Sequence, residues 1–132
     1  MQVHVLIVEY PGYGIYPGTA NEKQILRDSL IAYDFLTNEI HFQKSKIFVW
    51  GRSLGCGPAI FLARYRTPCM MFLVSPFTSI KSAAKKYVGF LSYFVGDYFK
   101  NICHISWNKC PVLFIHGKRD KIVPYSETNK LS

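Results

Sequence analysis

No stretch of the 132-residue chain approaches the length of about 20 apolar residues that a membrane-spanning helix needs, so the sequence offers no transmembrane helix. There is no C-x-x-C pair among Cys56, Cys69, Cys103 and Cys110, which excludes the usual zinc and redox spacings. These cysteines fall mostly in apolar or helical contexts and read as free thiols in a reducing compartment, hence a cytoplasmic protein. Acidic residues are scarce: 8 Asp and Glu face 16 Lys and Arg, a net charge of +8. The excess does not form a polybasic tract. Lys81, Lys85 and Lys86, then Lys118, Arg119 and Lys121, are scattered, and no nucleic-acid motif accompanies them, so nucleic acid is not an expected partner. Peripheral attraction to an anionic membrane face or an acidic partner fits the charge, as does a plain solvated surface. Met1–Val8 lacks the basic start and small-residue cleavage site of a signal peptide and reads as a strand that begins abruptly. Repeats, linkers and low-complexity segments are absent.

What is present is a globular composition, 49% hydrophobic, in a chain sized for one domain or part of one, residues 1–132. Val3–Tyr10, Lys46–Trp50, Met70–Ser75 and Val112–His116 are short continuous apolar runs, the pattern of parallel strands covered on both faces. Each stops in turn chemistry at Pro11-Gly12, Gly51, Ser75-Pro76 or Gly117. Thr19-Ala-Asn-Glu22 has the form of a capping box opening a crossover helix, whose apolar face is Ile25, Ser29, Ala32, Tyr33 and Leu36. A second helix follows over Leu54–Tyr65, with Pro58 tolerable near its first turn. The region Thr78–Phe99 is long and rich in aromatics. Strands separated by helical crossovers predict an α/β fold: a mainly parallel sheet with helices on both faces.

The most informative motif is Gly51-Arg-Ser-Leu-Gly55, directly behind an apolar strand and ahead of a helix. That is the form of a nucleophile elbow, a serine on a bend so tight that the positions two before and two after it should be nearly free of side chain. Ligands of such sheets bind beyond the carboxyl ends of the strands. Tyr10–Tyr13, Ser53 and Asp120 all fall there. Ser53 is therefore the candidate nucleophile, Asp120 the candidate acid and the Leu54 N–H a candidate oxyanion donor. Tyr10, Tyr13, Arg52 and Phe77, beside these positions, are candidates to line a substrate site. Neither a metal nor an organic cofactor is expected.

A serine hydroxyl needs an adjacent base, normally a histidine steered by a carboxylate. Where the nucleophile sits on such an elbow, the chain order is serine, acid, histidine, and Lys121–Ser132 contains no histidine. His116 reads as a structural residue of the strand end, His4 as part of a strand, His41 as a surface connection and His104 as a loop residue before Trp107. The chain as given is thus expected not to assemble a triad. A second oxyanion donor would come from a loop after an earlier strand, and no His-Gly or Gly-Gly loop lies upstream.

Taken together, Val8-Glu-Tyr-Pro-Gly-Tyr-Gly14, Gly51-Arg-Ser-Leu-Gly-Cys-Gly-Pro-Ala59, Ser75-Pro-Phe-Thr-Ser79 and Cys110-Pro-Val-Leu-Phe-Ile-His-Gly-Lys-Arg-Asp120 resemble the α/β-hydrolases of the serine hydrolase superfamily. Within it the similarity is greatest to the alpha/beta hydrolase domain-containing proteins 17, with 13 nearby. The resemblance implies Ser53 as nucleophile, Asp120 as triad acid and a histidine beyond Ser132. It also implies that the chain runs from the fourth strand of the usual sheet to short of the eighth, a partial domain in which Val3–Tyr10 lacks its neighbour. The expected activity is hydrolysis of a carboxylic ester or thioester, with lipidated proteins as possible substrates. The protein 17 group removes palmitoyl groups and is anchored by an N-terminal cysteine cluster that this sequence does not have. A serine peptidase and a non-catalytic binding module of the same fold are the competing readings. Tyr87–Val95, continuing to Tyr98-Phe99, suits an acyl-binding wall, a core helix, or an interfacial helix flanked by Lys85, Lys86 and Lys100.

Overall fold

A computed structural model of the chain describes residues 3–89 and 96–132. Three parallel strands form its sheet in the order β1 (Phe48–Arg52), β2 (Met70–Val74), β3 (Val112–Ile115). Register pairs Arg52 with Val74 and Val74 with Ile115, so the strands end level with one another. Five α-helices are described: α1 (Glu22–Asp34) before β1, α2 (Cys56–Tyr65) between β1 and β2, α3 (Ile80–Val88) and α4 (Asn101–Ile105) between β2 and β3, and α5 (Tyr125–Asn129) after β3.

Three of the four expected strands form, displaced by no more than two residues at either end. The fourth does not. Residues 3–10 pair with no strand among the described residues, and Val3, Val5, Leu6, Ile7 and Val8 are exposed. A strand exists only through hydrogen bonds to a neighbour, and an apolar β-prone run without one stays irregular. The capping box is also displaced. Asn21, not Thr19, caps α1, its Oδ1 accepting from the Gln24 N–H at 3.3 Å. Glu22, which would close the box, instead accepts the Phe99 N–H with Oε1. The expected face of α1 holds: Ile25, Ser29 and Tyr33 are buried, and Leu36 packs beside Tyr33.

Cover on both faces of the sheet is not provided by the described residues. The main core joins α2 to one face, with Cys56, Ile60 and Ala63 against Met71 and Leu73. On the opposite face Phe48, Trp50, Leu113 and Ile115 stand exposed beside Phe72. Strand order explains the asymmetry. Successive right-handed crossovers moving the same way across a sheet lie on the same side, and α2 and α4 pack against each other there. The continuous apolar runs correctly report two apolar faces, but not which elements cover them. Of the aromatic segment Tyr87–Val95, residues 90–95 lie outside the described residues. No helix among the described residues is long and apolar enough to cross a membrane.

Candidate active site at the carboxyl ends of the strands

β1 ends at Arg52, the chain bends, and a single 3-10 turn over Ser53–Gly55 leads into α2. Ser53 has φ 48°, a left-handed conformation that a non-glycine residue seldom adopts. The reason for Gly51 is direct: a Cβ there would lie 2.6 Å from Gly55 O, 2.8 Å from Cys56 Cα and 2.9 Å from Ala59 Cβ. Gly55 is different. A Cβ on it would meet only the Tyr10 hydroxyl, at 3.4 Å, an ordinary contact. The expectation that both glycines are sterically required holds for the first alone. Ser53 and Leu54 are half-buried, and the first N–H groups of the turn and helix have no partner within the helix itself. No hydrogen bond to Ser53 Oγ occurs among the described residues.

One strand away, Ser75 follows Val74, the register partner of Arg52, so Ser53 and Ser75 are each the first residue past the level ends of two neighbouring strands, which lie about 4.8 Å apart. Ser75 also has a left-handed φ, 50°. Its Oγ donates to Asp120 Oδ2 at 2.9 Å, which brings the candidate acid to within one strand of the serine turn. The two oxygens of Asp120 do different things. Oδ1 accepts the Ile122 and Val123 N–H groups at 2.7 and 3.0 Å, the local turn closure that an ordinary loop aspartate makes. Oδ2 takes the Ser75 hydroxyl and keeps a second lone pair. The Val123 amide, with help from Ile122, Ser75 and His116, holds the Asp120 carboxyl below the ordinary range despite some burial.

His116 cannot serve Ser53. Its Nε2 donates to Val123 O at 2.9 Å and its Nδ1 pairs with the Thr128 hydroxyl. With both nitrogens used and its side chain 1% exposed, it ties the end of β3 to α5. Its 3.5 Å approach to Asp120 Oδ2 is therefore not a hydrogen bond. His104 lies within α4, not in a loop, and its Nδ1 is 2.9 Å from an Arg64 guanidinium nitrogen. His4 and His41 are exposed.

Of the candidate lining residues, Tyr10, Leu54 and Phe77 meet in one apolar cluster with Ile25, Phe99 and Val123. Tyr10 reaches over the turn toward Gly55, and burial, then Cys56 and Tyr13, push its phenol up. Tyr13 is exposed and packs edge-on to Tyr10 at 6.0 Å. Phe77, at 3% exposure, is core beneath the site and presents no free face. Arg52 points away from cover and is exposed. An open hollow of about 630 Å³ between the turn at Pro11–Gly18 and α1 includes none of Ser53, Leu54 or Asp120. No group of His, Cys, Asp or Glu suited to a metal ion occurs among the described residues.

Sequence reasoning passed over two residues here. In the sequence Ser75 stands as the stop of a strand and the first residue of Ser75-Pro-Phe-Thr-Ser79, with no role of its own. Glu127 lies 3% exposed and carries four hydrogen bonds, from Thr78 N, Thr78 Oγ1, Ser82 Oγ and Lys130 Nζ. Burial pushes its carboxyl up, but those donors, Lys130 and Thr78 foremost, outweigh burial and leave it below its ordinary value. No motif marks it; the one signal is an acid in a basic chain.

No protein-family model matches the chain. Among curated proteins it is 33% identical over 129 residues to an uncharacterized protein of Mycobacterium tuberculosis, covering 96% of this chain and 46% of that one. It is 31% identical over 126 residues to the alpha/beta hydrolase domain-containing protein aho-3 of Caenorhabditis elegans, covering 96% and 37%. It is 30% identical over 151 residues to the lysophosphatidylserine lipase ABHD12 of Danio rerio, covering 97% and 38%. The chain thus spans less than half the length of these relatives. A solved structure of a Mycobacterium tuberculosis puromycin-hydrolyzing peptidase superposes with a TM-score of 0.67 over 82% of this chain and 19% of that one, at 16% identity, a likeness of fold. The named relatives are alpha/beta hydrolase domain proteins, which supports the superfamily and not the narrower group of proteins 17 and 13.

Proposed function

We propose that this chain supplies the nucleophile and acid of a serine hydrolase that cleaves a lipid-derived carboxylic ester or thioester. The observation that carries the reading is Ser53 in a left-handed conformation on a turn whose preceding glycine cannot bear a Cβ. Such strain is kept where a hydroxyl must be presented. Ser53 Oγ attacks the carbonyl carbon, the carbonyl oxygen becomes an oxyanion facing the Leu54 N–H, and collapse expels the alcohol or thiol to leave an acyl-serine. Water then attacks the acyl-serine, releasing the carboxylic acid and restoring the hydroxyl. A histidine takes the Ser53 proton and passes it to the leaving group, its far nitrogen donating to the free lone pair of Asp120 Oδ2. With His116 engaged elsewhere, that histidine is proposed to lie in sequence outside this chain, as the greater length of the relatives allows.

The lipase among the relatives favours an ester of a lipid. Acyl transfer from a thioester, including a palmitoylated protein, uses the same steps. Full-length protein incubated with a fluorophosphonate probe should acquire an adduct on Ser53, lost in Ser53→Ala. Turnover should be greater on acyl esters or acyl thioesters than on amino-acid amides. The competing reading is a non-catalytic binding module, favoured by the absence of a described hydrogen-bond partner for Ser53 Oγ. A folded full-length protein whose Ser53 takes up no probe would decide for that module.

A further inference from the structure

We infer that Ser75 and Glu127 are positioning residues, which fasten the loop bearing Asp120 to the end of β2 and so fix its carboxylate beside the Ser53 turn. This rests on Asp120 being the acid proposed above.

The loop has little to hold it by itself. Lys118, Arg119, Lys121 and Ile122 are all exposed, and the Oδ1 bonds of Asp120 reach only to its own neighbours. A turn closed only on itself can swing as a unit. His116, bonded to Val123 O and to the Thr128 hydroxyl, ties the far limb of the loop back to β3, and three further attachments lead to residues 75–82. At the near end, Ser75 Oγ holds Asp120 Oδ2 at 2.9 Å. In the middle, Val123 is buried in the cluster that contains Phe77. At the far end, the Glu127 carboxylate receives the Thr78 N–H and hydroxyl through Oε2 and the Ser82 hydroxyl through Oε1.

Segment 75–82 is in turn tied to the serine turn, because it begins one residue past the register partner of Arg52. The acid and the nucleophile are therefore referred to a single rigid frame, the level ends of β1 and β2. Ser75 also stands at φ 50°, where glycine would be free of strain and would offer no hydroxyl. Retaining a side chain there is explained by its contact with Asp120.

The test uses the full-length protein with Ser75→Ala, Ser75→Gly, Glu127→Gln and, as the conservative control, Thr78→Ser. Ser75→Gly removes the hydroxyl while relieving the backbone, so it separates a purely structural serine from a positioning one. On a p-nitrophenyl or thioester substrate, both Ser75 variants and Glu127→Gln should lower kcat about tenfold, with KM within about twofold of wild type. Thr78→Ser should match wild type. Order parameters of the 118–123 amides from nitrogen-15 relaxation read the swing of the loop without any turnover, and should fall in Ser75→Gly and Glu127→Gln. A wild-type kcat in Ser75→Gly, or unchanged order parameters in both variants, overturns the inference. Should wild-type Ser53 take no probe, the hydrolase reading fails instead, and the order parameters still decide whether the loop is tied as described.

Discussion

The two glycines of Gly51-Arg-Ser-Leu-Gly55 should respond to the same substitution with opposite signs. A methyl group on Gly51 would lie within 3.0 Å of two backbone atoms, Gly55 O and Cys56 Cα, and of Ala59 Cβ. None of these is the far end of a flexible side chain, so the start of α2 must move away from the sheet. Overpacking of a well-packed site costs about 1–3 kcal/mol, and three contacts this short put Gly51→Ala near the upper figure. Gly55 has φ −63° and meets only the Tyr10 hydroxyl at 3.4 Å, so alanine fits the existing backbone. Removing glycine's freedom from the unfolded chain then stabilises by roughly 0.4–1 kcal/mol. The pair should therefore differ by about 3–4 kcal/mol. Urea unfolding followed by circular dichroism measures this, with equal slopes expected, and Gly55→Ala should still react with a fluorophosphonate at Ser53. Gly51→Ala within 0.5 kcal/mol or so of wild type, or Gly55→Ala as the more damaging of the two, would refute the close-approach account of the turn.

Two further expectations concern ordinary chemistry of the fold. Arg66 grips both oxygens of Asp34 at 2.6 Å, and that hydrogen bonding holds the Asp34 carboxyl below its usual value. A lowered folded pKa contributes stability that is present above the unfolded pKa and lost as pH falls through the folded one. With both side chains about a third exposed, Asp34→Asn should cost about 0.5–1 kcal/mol near neutral pH, and the variant and wild-type urea midpoints should converge well below pH ~4. Burial pushes the Cys56 thiol up to about 12, whereas Cys103 is exposed. Iodoacetamide at about pH 8 should alkylate Cys103 in the folded protein and reach Cys56 only on unfolding, as read by peptide mass spectrometry; equal rates would contradict the buried placement.

The parts of the fold that were legible in the sequence are those set by local rules. Met70–Val74 and Val112–Ile115 announce themselves as apolar runs between turn residues, and Gly51, Ser53 and the helix behind them are read from spacing alone. Register and crossover direction bring Asp120 to the same sheet edge, as the strand-end rule anticipates. What escaped depends on partners far away in the chain. Val3–Tyr10 has strand composition but pairs with no strand among the described residues. Thr19 and Asn21 both offer a cap, and the choice turns on Glu22, which is engaged by Phe99. Phe77 follows a strand end, where a lining residue is expected, yet its side chain turns into the cluster with Val123. Ser75 and Glu127 acquire meaning only when residues 45 and 49 positions apart are brought together.

The sheet face carrying Phe48, Trp50, Leu113 and Ile115 has a practical consequence. Any preparation limited to these 132 residues presents water with a ribbon of aromatic and branched side chains, beside a strand whose outer edge has no partner among the described residues. Such a ribbon invites copies to stick together. Soluble yield and monodispersity would then measure how well that ribbon is shielded, and poor behaviour of the isolated polypeptide would say little about the chemistry proposed for Ser53.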